Sequence, residues 1–194
     1  MKPSVFLSHS SHDETALRRL KESLEDKTAG AVRFFLSSDG QSIPLGRNWV
    51  HQIQQALDEC GLMLVFLSPN SMNSRWVYFE SGYAYSRSLR VVPLGVFGVD
   101  LNDLSPPLSL LQGFNVSVRS ADGLNNVIAL INTEFDLKCK EAFTPADYDF
   151  LFGRTNEAAD GSYLGQYSSV VDELTIRCDG DSDATGRMCP GVDR

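Results

Sequence analysis

Leu62-Met63-Leu64-Val65-Phe66-Leu67 is an unbroken apolar run, closed by Ser68-Pro69-Asn70. A strand with one wet face would alternate apolar and polar residues, and this one does not. It reads as a strand covered on both faces, the habit of parallel sheets. Runs of the same kind lie at Ser4–Leu7, Val32–Leu36, Val91–Phe97 and, more weakly, Phe114–Val118.

Helical patterns separate these runs. Ser11-His12-Asp13-Glu14 fits a capping box, with Ser11 as cap and Glu14 reaching back. Leu17, Leu20 and Leu24 then form one apolar stripe. A second helix is expected from near Asn48, with Val50, Ile53, Leu57 and Cys60 on one side. A third runs from about Arg75 to Ser88. A short fourth is expected near Pro106 to Gln112. A fifth carries Leu124, Val127, Ile128, Ile131 and Phe135 at helical spacing.

Strand and helix therefore alternate five times. The expected product is a three-layer, doubly wound α/β domain with five parallel strands, over residues 1–140. Ligands of such folds bind beyond the carboxyl ends of the strands. Those ends are Ser8-His9-Ser10, Ser37-Ser38-Asp39-Gly40 and Ser68-Pro69-Asn70. After Lys140 the pattern changes to a polar, glycine-punctuated extension, residues 141–194. Phe143 to Phe152 can add a short helix there. Gly161 to Tyr167 and Val170 to Ile176 read either as a small β unit or as part of a partly disordered tail.

Composition bounds the function. Among the 194 residues 42% are hydrophobic and 22% charged, a soluble globular balance. The longest apolar run is far too short to span a bilayer, and the N-terminus does not read as a signal peptide. Residues 1–140 carry 13 basic and 14 acidic side chains, whereas 141–194 carry 4 and 11, so most of the net charge of -8 sits in the extension. No basic patch points to nucleic acid. Cys60, Cys139, Cys178 and Cys189 form neither C-x-x-C nor a zinc spacing with His9, His12 or His51, which suits reduced thiols in the cytoplasm. A membrane protein, a secreted disulfide scaffold and a wholly disordered chain are all disfavoured.

Several ligand schemes fail on the residues. There is no G-x-x-x-x-G-K-[ST] and no G-x-G-x-x-G after the first strand. A phospho-accepting receiver needs an acidic cluster after its first strand and an Asp ending its third, and this chain has Ser8-His9-Ser10 and Ser68-Pro69-Asn70. Asp179-Gly180-Asp181-Ser182-Asp183 begins like a calcium loop, but its sixth position is Ala184 and its twelfth Pro190.

The informative segment is Ser74-Arg75-Trp76-Val77-Tyr78-Phe79-Glu80-Ser81-Gly82-Tyr83. Trp76 and Glu80 stand one helical turn apart on one face, with Tyr83 on the same side. A carboxylate beside two aromatics, near the crevice, suits a binding site. The competing reading is a partly exposed Glu on an amphipathic helix, with the aromatics at the core edge.

Four motifs in order resemble a bacterial Toll/interleukin-1 receptor (TIR) domain. They are Val5-Phe6-Leu7-Ser8-His9-Ser10; Asp39 with Leu45-Gly46-Arg47-Asn48-Trp49 and Ile53; Val65-Phe66-Leu67-Ser68-Pro69-Asn70-Ser71; and Arg75-Trp76-Val77-Tyr78-Phe79-Glu80. The match runs from about residue 4 to 138. The resemblance implies a flavodoxin-like sheet and a gating loop over residues 37–49. It also implies one of two functions. Some relatives are adaptors acting through TIR–TIR association. Others are NAD+ nucleosidases or cyclases that use a Glu in a W-x-x-x-E arrangement, which Trp76-Val77-Tyr78-Phe79-Glu80 fits. By resemblance Glu80 is then the catalytic residue.

The substrate-binding assignments that follow are Ser8, His9 and Ser10 for the ribose or phosphates, Asp39, Gly46 and Arg47 in the gating loop, Trp49 for stacking on a base, Trp76 as a wall of the nicotinamide pocket, and Tyr83 on the same side of the helix. Five of them have a plain structural alternative: a local hydrogen bond for His9, an exposed loop position for Arg47, helix packing for Trp49 and core packing for Trp76 and Tyr83. The implied reaction takes NAD+ as substrate and needs no cofactor or metal. Implied partners are further TIR domains, with an upstream sensor or downstream effector in antiphage defence, and neither nucleic acid nor membrane. A nucleoside deoxyribosyltransferase-like enzyme, which also cleaves an N-glycosidic bond with a Glu, is a further alternative.

Overall fold

The computed structural model describes residues 2–38, 49–116, 121–140 and 142–152. The chain divides into two units, Met1–Gly153 and Arg154–Arg194, and every described residue belongs to the first. The β unit or tail expected beyond Gly161, and the residues of the gating loop from Asp39 to Asn48, lie outside the described residues.

Strands β1 (Ser4–Ser8), β2 (Arg33–Leu36), β3 (Leu62–Leu67), β4 (Arg90–Gly95) and β5 (Phe114–Asn115) form one sheet in the order β2-β1-β3-β4-β5. Every neighbouring pair is parallel. The helices are α1 (Glu14–Lys27), α2 (Trp49–Glu59), α3 (Arg75–Ser86), α4 (Asp122–Phe135) and α5 (Pro145–Phe152). This is the expected five-stranded parallel α/β architecture.

The register explains the unbroken apolar runs. Successive strand side chains point to opposite faces, and here each face meets helices. Val5, Leu7, Leu64 and Phe66 pack with Leu17, Leu20 and Leu24 of α1 and with Leu124, Val127 and Ile131 of α4. Phe6, Met63, Val65 and Leu67 pack with Ile53 and Leu57 of α2 and with Val77 and Ala84 of α3. All six residues of β3 are buried. β3 is the middle strand of the sheet and presents no residue to water, so none of its residues needs a polar side chain.

Four sequence expectations change. Ser11 does not cap α1. Ser10 instead caps a short 3-10 turn, Ser11–Asp13, by accepting from the His12 N–H, and α1 begins only at Glu14. The helix expected near Pro106 to Gln112 is a single 3-10 turn, Leu108–Leu110, preceded by a cis Pro106–Pro107 bond. The last strand is two residues long. Residues 143–152 do form a helix, but Phe143, Tyr148, Leu151 and Phe152 are buried in the core shared with α1 and α4. The first unit therefore continues past Lys140. Among the described residues, no helix is long and apolar enough to cross a membrane.

Candidate active site

At the carboxyl edge of the sheet a line of polar residues is buried, where the adjoining strand residues are apolar. Ser8 is fully buried, and His9, Ser10, Ser37 and Ser38 are each less than a tenth exposed. Parallel strands deliver these residues to one edge because their ends stagger little: Leu7 pairs with Leu36 of β2, and Ser8 with Val65 of β3.

Glu80 comes to this edge from α3. Ser74 caps that helix by accepting from the Val77 N–H at 3.4 Å, which fixes where the first turn starts. One turn on, the Trp76 indole Nε1 donates to Glu80 Oε1 at 2.7 Å. From β1, Ser8 Oγ donates to Glu80 Oε2 at 2.5 Å. Glu80 is completely buried, so the partly exposed surface Glu of the competing sequence reading does not describe it.

Burial pushes the Glu80 carboxyl up to about 8, while the Ser8 and Trp76 hydrogen bonds pull it down. Desolvation wins because two neutral donors replace only part of a carboxylate's hydration. Among the described residues no Lys or Arg forms an ion pair with it. A carboxyl in this state ionises when a positive charge arrives, which equips it to stabilise a cationic centre.

The other predicted residues separate into groups. Trp76 reaches Glu80 directly, and Phe79 stacks on Trp76 with ring centroids 5.0 Å apart. His9 Nδ1 lies 3.1 Å from Ser37 Oγ and 3.2 Å from the Leu7 carbonyl oxygen, joining the ends of β1 and β2. Ser10 engages His12. Tyr83 turns away from Glu80. Its hydroxyl donates to Asp58 of α2 at 3.2 Å, beside an Arg87–Asp58 ion pair. Asp39, Gly46 and Arg47 lie outside the described residues. Trp49 opens α2, but its side chain is also outside them. Among the described residues, no group of three or more His, Cys, Asp and Glu side chains is placed to hold a metal ion.

One cluster escaped the sequence reading. Asp13 is buried, and its carboxylate accepts from Ser68 Oγ at 2.5 Å and from Asn70 Nδ2 at 3.2 Å. The available signal was topological: Asp13 follows β1 and Ser68 follows β3, and these strands are neighbours.

The family model described as TIR domain matches residues 5–128. The chain belongs to the TIR-domain family. Within this TIR domain the matched residues include β1 from Val5 onward, β2 to β5 and α1 to α3, and so Glu80 with its two hydrogen-bond donors, Ser8 and Trp76. No curated protein matches the chain. Among solved structures, it is similar to the TIR domains of the activated Roq1 resistosome directly recognising the pathogen effector XopQ. That similarity has 17% identity and a TM-score of 0.43, and covers 91% of this chain and 99% of that one.

Proposed function

We propose that this TIR domain cleaves the nicotinamide–ribose bond of NAD+. The observation that carries the reading is Glu80: a fully buried carboxyl, held by Ser8 and Trp76 at the edge where α/β folds bind ligands.

Nicotinamide in NAD+ is a cationic leaving group and departs neutral, so it needs no general acid. Ordinary glycosidases need two carboxyl groups because their leaving oxygen must be protonated. Here one suffices. The ribose carbon gains oxocarbenium character as the bond breaks, and Glu80 supplies the opposing charge in a dry site. The incoming cation itself favours the ionised carboxylate. Water attack gives ADP-ribose, and attack by the substrate's own adenine or ribose gives a cyclic ADP-ribose. NAD+ is the substrate, and the reaction takes no cofactor. We place the reaction in the cytoplasm, switched on by self-association of TIR domains in antiphage defence, where uncontrolled loss of NAD+ would harm the cell.

One observation favours a second reading, an adaptor without chemistry. Both Glu80 oxygens are engaged within the chain, and the side chain has no exposure. Chromatography with mass spectrometry separates the two. Wild type and Glu80→Ala are incubated with NAD+ and with deoxynucleosides across a range of protein concentrations, including assembly-promoting conditions. Release of nicotinamide by wild type alone supports the proposal, and the second product tells hydrolysis from cyclisation. Assembled protein that leaves NAD+ intact supports the adaptor, and cleavage of deoxynucleosides in its place supports a deoxyribosyltransferase.

A further inference from the structure

Asp13 stands at the N-cap position of α1, where an Asp ordinarily accepts hydrogen bonds from its own helix. Its side chain makes no such bond. The carboxylate instead reaches Ser68 Oγ at 2.5 Å and Asn70 Nδ2 at 3.2 Å, across 55 and 57 residues of chain. This helix forgoes its side-chain cap for a contact with the turn after β3.

That turn is the foundation of α3. Ser68 Oγ, while donating to Asp13, accepts from the Asn70 and Ser71 N–H groups at 3.1 and 3.2 Å. Ser71 Oγ in turn accepts from the Ser68 N–H at 2.7 Å and donates to the Phe66 carbonyl at 2.9 Å. The Ser74 N–H donates to the Ser71 carbonyl at 3.0 Å, and Ser74 caps α3. An unbroken hydrogen-bonded path therefore runs from Asp13 to the start of the helix that carries Trp76 and Glu80.

Two tethers thus join the same two segments in opposite senses. Asp13, after β1, holds the turn after β3. Glu80, on the helix that follows that turn, is held by Ser8 at the end of β1. One tether fixes the two segments at a single point, and the second fixes them at another.

We infer that Asp13 is a positioning residue: through Ser68 and the turn it orders, Asp13 sets where α3 begins and so holds Trp76 and Glu80 in reach of Ser8. Its effect on turnover rests on the proposed role of Glu80, but its effect on geometry does not.

The test reads both. The Trp76 indole N–H resonance of 15N-labelled full-length protein reports the bond to Glu80, and its loss in Trp76→Phe assigns it. In Asp13→Ala and Ser68→Ala, the resonance is expected to move toward its position in Glu80→Ala. Asp13→Asn keeps an oxygen that accepts from Ser68 and should restore most of the wild-type position. With NAD+, Asp13→Ala should lose about tenfold or more in kcat, since small misplacements of a reacting group are costly, with KM little changed. Circular dichroism confirms that each variant is folded, and Ser68→Ala decides if Asp13→Ala is not. An indole resonance unmoved in the folded variants overturns the inference. If assembled wild type cleaves no NAD+, the proposed function falls, and the resonance alone still decides the role of Asp13.

Discussion

Ser8 and Glu80 are 72 residues apart in sequence, yet Ser8 Oγ donates to Glu80 Oε2 at 2.5 Å inside the protein. The last residue of the first strand thus holds the carboxyl that the third helix brings down. With the Trp76 indole on the other oxygen, both donors favour the ionised carboxylate while burial favours the neutral acid. The site is poised between the two.

Stability should carry that signature. Unfolding returns Glu80 from about 8 to the ordinary 4.5, so between these values the folded chain holds the proton more tightly. The Glu80 contribution is fully present below 4.5 and is lost as pH rises through about 8. Urea unfolding at several pH values should show wild type losing, relative to Glu80→Gln, on the order of several kcal/mol across that window. Parallel pH dependence in the two proteins would refute the buried neutral acid.

For NAD+ cleavage the same poise sets the pH profile. The acidic limb of kcat/KM reports the free enzyme and should have its midpoint near the value of about 8 held by the empty site. The limb of kcat should lie lower, because a bound nicotinamide cation favours ionised Glu80. Steady-state rates from pH 5 to pH 9 check both limbs, and coincident limbs count against a cation beside Glu80.

Ser8→Ala removes one donor and leaves Glu80 Oε2 buried without it. An unsatisfied buried polar group costs roughly 1–3 kcal/mol, which thermal and urea unfolding measure. The lost donor should also move the acidic limb of kcat/KM to higher pH. Trp76→Phe keeps an aromatic ring and removes the indole N–H, so it should act in the same direction. The double variant should be non-additive, because the two donors share one carboxyl.

The helix α5 gives a prediction independent of the chemistry. Phe152 is buried, with an edge contact to Phe97 at 5.3 Å and a tilted contact to Tyr148 at 5.1 Å. Phe152→Ala should cost about 3–5 kcal/mol by urea unfolding. Truncation after Lys140 should cost more, since it strips Phe143, Tyr148 and Leu151 from the core as well. A truncated chain as stable as the full one would show that α5 merely rests on the surface.

Much of this protein was settled by sequence alone. Local periodicity is written into the chain, so the five apolar runs, the α1 stripe and the continuous burial of Leu62 to Leu67 were legible. Parallel pairing followed, because strands without a polar face must be covered on both sides. The W-x-x-x-E spacing put Trp76 and Glu80 on one helix face, since i and i+4 are neighbours on any α-helix. Tertiary structure decided what spacing cannot carry. Tyr83 has the same helical logic as Trp76, yet it bonds to Asp58, because α2 and not β1 lies against its hydroxyl. Asp13 and Glu14 sit in a sequence that suits a local cap, yet Asp13 turns to Ser68, because β1 and β3 are neighbours in the sheet. Glu80 is an ordinary acidic residue in sequence. Its burial, and the upward push on its carboxyl, exist only once β1 and α3 close over it, because desolvation belongs to the packed surroundings and not to the residue.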